Sequence, residues 1–282
     1  MKFFALLMVL FASISECKAQ LPSGTHTSVE NQKHKGDSIT NQNKMMKVEI
    51  WSDIMCPFCY IGKRNFENAL AQFADSNNIQ IEWKSFQLDP TIPTHFDEKV
   101  NVYDYLAERK GWSHEQSIAM HDRVVEMAKN VGLDYRFDQA VVANSFHAHR
   151  MIQMAKTKGL GDAAEERLFR AYFTEGKNFG DPAVLVELGS DIGLSEAEVK
   201  EALSNDDWAF LVNQDIREAQ SIGVTGVPFF VFDRKYAVSG AQPPQAFLQA
   251  LTQSYDEWKS SNNIKTLDVK DGPVCTPQGD CD

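Results

Sequence analysis

In the stretch SDIMCPFCYIGK (residues 52–63), Cys56 and Cys59 sit two residues apart where a strand pattern hands over to a helix pattern. Upstream, Val48, Glu49, Ile50 and Trp51 have strand character, with only partial alternation of apolar and polar residues. Downstream, Ile61, Phe66, Ala69, Leu70 and Phe73 recur at helical intervals. Pro57 suits the first turn of that helix, where its missing N–H is not needed. A second strand is expected over Ile79–Leu88. Strand, helix and strand in so short a span make a βαβ unit, which commits the chain to an α/β sheet.

Beyond this unit the pattern turns helical from about residue 98 to 220. Ser113 with Gln116 and Ser195 with Glu198 have capping-box spacing. Asp181-Pro182 places an N-cap before a proline at the first helical position. GVPFFVFD and YAVSG then read as two short strands about a tight turn at Asp233-Arg234, and PPQAFLQALTQSYDEWKS as a closing helix. The order β-α-β, helical block, β-β-α is a thioredoxin fold with a large helical insertion. The frame is expected over 47–95 and 221–260, and the insertion over 96–220.

The ends read differently. Met1-Lys2 is followed by FFALLMVLFASIS, an apolar run too short to span a bilayer as a mature helix. A basic start, an apolar core and a small-residue exit describe a signal peptide over 1–19, with cleavage expected after Ala19. Lipoprotein anchoring through Cys17 is the rival, and Glu16 directly before it argues against that. Residues 20–46 are polar and aperiodic and read as a flexible linker. Export implies a compartment in which disulfides persist, periplasmic or secreted. Four cysteines remain after cleavage, in two close pairs: Cys56 with Cys59, and Cys275 with Cys281 in the tail 261–282. The formal net charge of -11, with no Lys/Arg-rich block, argues against nucleic acid or anionic lipid as partners. No stable membrane span is expected of the mature chain.

Three stretches carry a family resemblance: WSDIMCPFCYIGKR near the start, NSFHAHRMI (144–152) in the helical block, and GVTGVPFFVFDRKYAVSGAQPP (223–244) near the end. Together they resemble the DsbA-like thioredoxin superfamily, and within it the FrnE-type branch, in order over residues 47–258. The tail pair is similar to a C-terminal cysteine pair that many FrnE-type proteins carry. The resemblance implies a protein thiol–disulfide oxidoreductase or isomerase that needs no metal and no nucleotide. Its partners would be client proteins with thiols or disulfides, and a redox partner protein or small thiol.

A C-x-x-C at a helix start sets the first sulfur beside unpaired backbone N–H groups and the positive end of the helix dipole. Both favour the thiolate, which is the nucleophile. Cys56 is therefore expected to be the exposed attacking cysteine and Cys59, one turn on, the buried resolving one. The resemblance gives Val227-Pro228 a cis peptide bond facing the pair, with the Val227 backbone open to an extended client. Between the cysteines, Pro57 and Phe58 tune the poise. The oxidising DsbA proteins have a histidine there, whereas Phe58 offers neither charge nor strong donor, so a milder oxidant is expected. Glu49 is a candidate proton relay at the buried cysteine, with a solvent-facing position as the alternative. Asp53 suits a loop or capping role.

Other readings compete. A zinc site needs more ligands, but Cys275 and Cys281 are widely spaced and His147 and His149 point to different helix faces. Asn144, His149 and Arg150 match the family's helical block, with a plain helix carrying solvated polar residues as the bland alternative. Cys275 and Cys281 are either a structural loop disulfide or a second redox pair. The same frame is similar to 2-hydroxychromene-2-carboxylate isomerases and kappa-class glutathione transferases, which typically carry serine where Cys56 stands. A non-catalytic, chaperone-like binder is a third reading.

Overall fold

The computed structural model describes residues 45–262. The expected signal peptide, most of the expected linker and nearly all of the cysteine-bearing tail lie outside them, as do Cys17, Cys275 and Cys281. One boundary moves. The first strand, β1, is Met46–Ser52, and Met46 is fully buried in it rather than ending a linker.

β1 leads through the cysteine loop into α1 (Pro57–Gln72), then β2 (Ile79–Ser85). The insertion holds α2 (Val102–Lys110), α3 (His114–Lys129), α4 (Phe146–Thr157), α5 (Gly161–Phe173), α6 (Pro182–Asp191), α7 (Glu196–Ser204) and α8 (Asp206–Ser221). β3 (Phe229–Phe232), β4 (Tyr236–Ser239) and α9 (Pro244–Asn262) close the frame. The sheet order is β2-β1-β3-β4. β1 runs parallel to β2, and β3 is antiparallel to both β1 and β4. This is the expected thioredoxin fold with a helical insertion. No helix among the described residues is long and apolar enough to cross a membrane.

The local signals act as read. Both capping boxes form, Asp181 accepts from the Ala183 N–H ahead of α6, and Pro57 opens α1. Asp233 and Arg234 both have positive φ in the β3–β4 turn. The alternation of β1 is only partial because its second face carries the charged Lys47 and Glu49 but ends on the buried Trp51, opposite Met46, Val48 and Ile50. β2 stops three residues earlier than expected. Past Ser85 the chain crosses the end of β1, where Phe86 N–H bonds the Ser52 carbonyl and Leu88 N–H bonds the Asp53 carboxylate.

The core has two main bodies. On one sheet face Val48, Ile50, Phe230 and Phe232 pack with Phe66 and Ala69 of α1 and Phe247 and Leu251 of α9. The second body fills the insertion around α4 and α5, and the first turns of α1 enter it: Tyr60 stacks on Phe169 with ring centroids 5.0 Å apart. α1 therefore joins the sheet to the insertion, and its cysteine-bearing end sits at the junction.

Candidate active site

Ser52 ends β1, and Asp53, Ile54 and Met55 carry the chain to Cys56, the N-cap of α1. This loop is clamped from several sides. The Cys56 N–H donates to the Asp53 carbonyl at 2.9 Å. The buried Asp53 carboxylate accepts from Met55 N–H at 3.3 Å and Leu88 N–H at 2.7 Å. The Tyr135 hydroxyl donates to the Pro57 carbonyl at 2.7 Å, tying the first turn to the insertion. Asp53 thus has the loop role its position suits.

Cys56 and Cys59 are both free thiols. The Cys56 thiol donates to the Val227 carbonyl at 3.4 Å. Its expected exposure is corrected: Cys56 is only 3% exposed, because Met55 and Val227 pack over the cluster that contains it. Cys59 is buried as expected, at 1%. Burial pushes its thiol well up and the Cys56 sulfur adds to this, while the Asp53 backbone N–H and the Ser52 side chain favour its thiolate. Phe58 is the open member of the motif at 39% exposure, beside the half-buried Pro57.

The Val227-Pro228 peptide is cis. Pro228 lies against α1 at Gly62, where a Cβ would come 3.0 Å from Pro228 Cγ. A glycine inside a helix is otherwise unfavourable, so the close approach of the proline accounts for it.

Glu49 is brought elsewhere. Side chains alternate along a strand, so Val48 and Ile50 face α1 while Glu49 and Trp51 face α8. There the Glu49 carboxylate pairs with Arg234 and lies 3.8 Å from Lys84. Burial pushes Glu49 up, and Arg234 draws it back. It is neither solvated nor on the α1 side of the sheet. The relay expectation fails on geometry, because the pleat turns this carboxylate away from Cys59.

The NSFHAHRMI stretch is also corrected: Asn144, His149 and Arg150 are buried, not solvated. The Asn144 amide donates to the Ile92 carbonyl at 2.6 Å and accepts from Gln87 at 3.1 Å. Arg150 donates to the carbonyls of Ala202 and Asn205, fixing α4 to the end of α7. His149 Nε2 donates to the Phe86 carbonyl at 2.8 Å and lies 3.7 Å from the Asp53 carboxylate. Burial opposes its imidazolium, but Asp53, Glu165 and the Phe86 carbonyl together outweigh that and raise it. Near it Glu165 is fully buried with Oε2 unpaired, and burial pushes its carboxyl to about 8.

Four contributors were not visible in sequence. Ser52 and Gly62 had weak signals, strand parity and a glycine within a helical pattern. Tyr135 and Glu165 had none, because they come from distant parts of the insertion.

A model of the DSBA-like thioredoxin domain matches residues 47–252. A protein of Bacillus subtilis, YwbO, is 27% identical over 213 residues, which is 73% of this chain and 95% of that one. The structure of a probable DsbA oxidoreductase from Streptomyces coelicolor is 39% identical, with a TM-score of 0.72 over 84% of this chain and 98% of that one. The fold alone is shared with the cytosolic disulfide reductase DsbM of Pseudomonas aeruginosa, at 18% identity and a TM-score of 0.54 over 75% and 99% of the two chains. With a family match across most of its length and a C-x-x-C pair at the head of α1, the chain belongs to the DSBA-like thioredoxin domain family of thiol–disulfide oxidoreductases.

Proposed function

We propose that the chain exchanges disulfides with client proteins outside the cytoplasm, through Cys56 and Cys59. The observation that carries this reading is the placement of Cys56 at the N-cap of α1, with its thiol on the Val227 carbonyl and Cys59 buried one turn behind. The first-turn N–H groups of a helix have no intrahelical partners, and they stabilise a thiolate at this position. Cys56 is the attacking residue and Cys59 the resolving one. Val227 and Pro228 form the edge against which an extended client lies, and Pro57 and Phe58 form its floor. The apolar run at the N-terminus supports export. A partner protein or a small thiol returns the pair to its starting state. Cys275 and Cys281 form a second redox pair that exchanges with the first.

In the reducing direction the Cys56 thiolate attacks a client disulfide, forming a mixed disulfide and releasing one client thiolate. Cys59 then attacks Cys56, the second client thiolate leaves, and the enzyme disulfide remains. The oxidising direction is the reverse.

The test is equilibration of the pair with glutathione buffers, with Cys275→Ser and Cys281→Ser in place. A reduction potential of about -120 to -180 mV, as in DsbA and protein disulfide isomerase, marks an oxidase or isomerase. A potential of about -270 mV, as in thioredoxin, marks a reductase. No exchange at all overturns the redox reading.

A further inference from the structure

With Glu49 on the far face, the proton chemistry of Cys59 rests on other groups. The sulfur must carry negative charge when it attacks or leaves, and it is buried where charge is disfavoured. Two donors act on it: the Asp53 backbone N–H and the Ser52 side chain.

Ser52 is the last residue of β1 and pairs with Ser85 of β2. It shares the parity of Met46, Val48 and Ile50, so its side chain faces α1. The residue is fully buried, and its hydroxyl has no hydrogen-bond partner of ordinary geometry among the described residues. A buried hydroxyl without a partner calls for an explanation. The parity of Ser52 sets it on the face toward α1, the helix that carries Cys59.

We propose that Ser52 is a catalytic residue of the exchange: its hydroxyl donates to the Cys59 thiolate as that sulfur attacks, or leaves from, Cys56. The proposal rests on the roles of Cys56 and Cys59 given above. In the mixed disulfide, Cys59 gives up its proton and its thiolate attacks Cys56 Sγ. The bond between the two enzyme sulfurs forms as the bond from Cys56 to the client sulfur breaks. The client sulfur leaves with the electron pair and takes up a proton. Two electrons pass from enzyme to client, and no outside oxidant is needed. In reverse, a client thiolate attacks Cys56 and expels Cys59 as the thiolate. In both directions the hydroxyl stabilises a charge that is absent from the thiol and from the disulfide, so it acts on the reacting state more than on the resting ones.

The test uses the full chain with Cys17→Ser, Cys275→Ser and Cys281→Ser, reduced and mixed with dithiobis(nitrobenzoate). Attack by Cys56 releases a first thionitrobenzoate, and resolution by Cys59 releases a second. Ser52→Ala is expected to slow the second release by on the order of tenfold, the loss of one charge-assisted hydrogen bond. The first release stays as it was, and Ser52→Thr restores the second. Equal second phases in Ser52→Ala and the parent overturn the proposal, as does equal slowing of both phases, which marks a loosened site. Should Ser52→Ala lose its fold, Ser52→Thr and Ser52→Val, matched in shape, give the same comparison. A parent chain with no first release overturns the exchange reading itself, whereas a normal first release with an unchanged second one overturns only the role of Ser52.

Discussion

The α8 face of the sheet and the surroundings of the two sulfurs handle buried polarity in opposite ways. On the α8 face, charge is paired with charge. Lys84 lies 3.1 Å from Asp215, 3.3 Å from Glu218 and 3.8 Å from Glu49, and Arg234 bonds both Glu49 and Glu218. The two sulfurs meet a carbonyl, a backbone N–H and a hydroxyl. Paired charges fix their neighbours and leave little to adjust. Neutral dipoles around a sulfur let its charge come and go with the reaction. The first region holds the strands in register, and the second is free to do chemistry.

The largest way to break this contrast is Cys56→Ser. It removes the nucleophile and keeps a donor for Val227. Exchange should fall to background while the unfolding midpoint holds. A Cys56→Ser chain with full activity would favour a binder over an enzyme.

Glu165 sharpens the contrast, because it is a buried carboxylate on the cysteine side of the molecule with one oxygen unpaired. His149, Asp162, Lys63 and Asp53 act on it, yet burial dominates and its carboxyl rises from 4.5 to about 8. The folded chain therefore keeps a proton that the unfolded chain has lost between these two values, and stability falls as pH rises through that window. His149, raised above 6.5, pushes the same way: its contribution is whole below 6.5 and fades as pH passes its raised value. At about 1.4 kcal/mol per unit, the Glu165 share amounts to a few kcal/mol by about pH 8.5. Glu165→Gln should match the parent near pH 4 and be more stable at pH 8.5, read from denaturant midpoints. A difference that does not change with pH would contradict this assignment.

On the opposite face, Glu49→Gln should cost about 2 kcal/mol, below the range for a fully buried pair because Arg234 is half exposed. Both releases of thionitrobenzoate should keep their rates. A selective slowing of the second release would return Glu49 to the proton path that its position denies it.

The sequence carried the frame because its signals are local. Capping boxes, Pro57 at the first turn, the Asp233-Arg234 turn and the C-x-x-C spacing are each decided within a few residues. The cysteine pair was legible for the same reason, whereas the cis bond before Pro228 followed only from the family resemblance. What failed was orientation. Glu49 shares the parity of Lys47 and Trp51, opposite Met46, Val48 and Ile50, and the buried Trp51 blurs which of the two sets faces α1. The burial of Cys56 depends on a segment 171 residues away. Asn144, His149 and Arg150 read as surface residues because polar side chains usually are, yet each bonds a carbonyl from another part of the chain.

The smallest expected effect falls at the seam between the two regions. Gly62→Ala would set a Cβ 3.0 Å from Pro228 Cγ and 3.5 Å from Phe230 Cζ and Ala241 Cα. Alanine inside a helix gains about 1 kcal/mol over glycine, and the crowding offsets that, so the unfolding midpoint should hardly move. The Val227-Pro228 segment, however, must give way by a few tenths of an ångström. The Cys56 thiol already reaches 3.4 Å to the Val227 carbonyl, so a small retreat weakens the hydrogen bond that ties the attacking sulfur to this edge. Reaction rates are steep in such displacements. The first release of thionitrobenzoate should slow a few-fold while stability stays level. If both stay level, the packing of Pro228 on α1 does not set the Cys56–Val227 distance, and the edge is positioned from the β3 side instead.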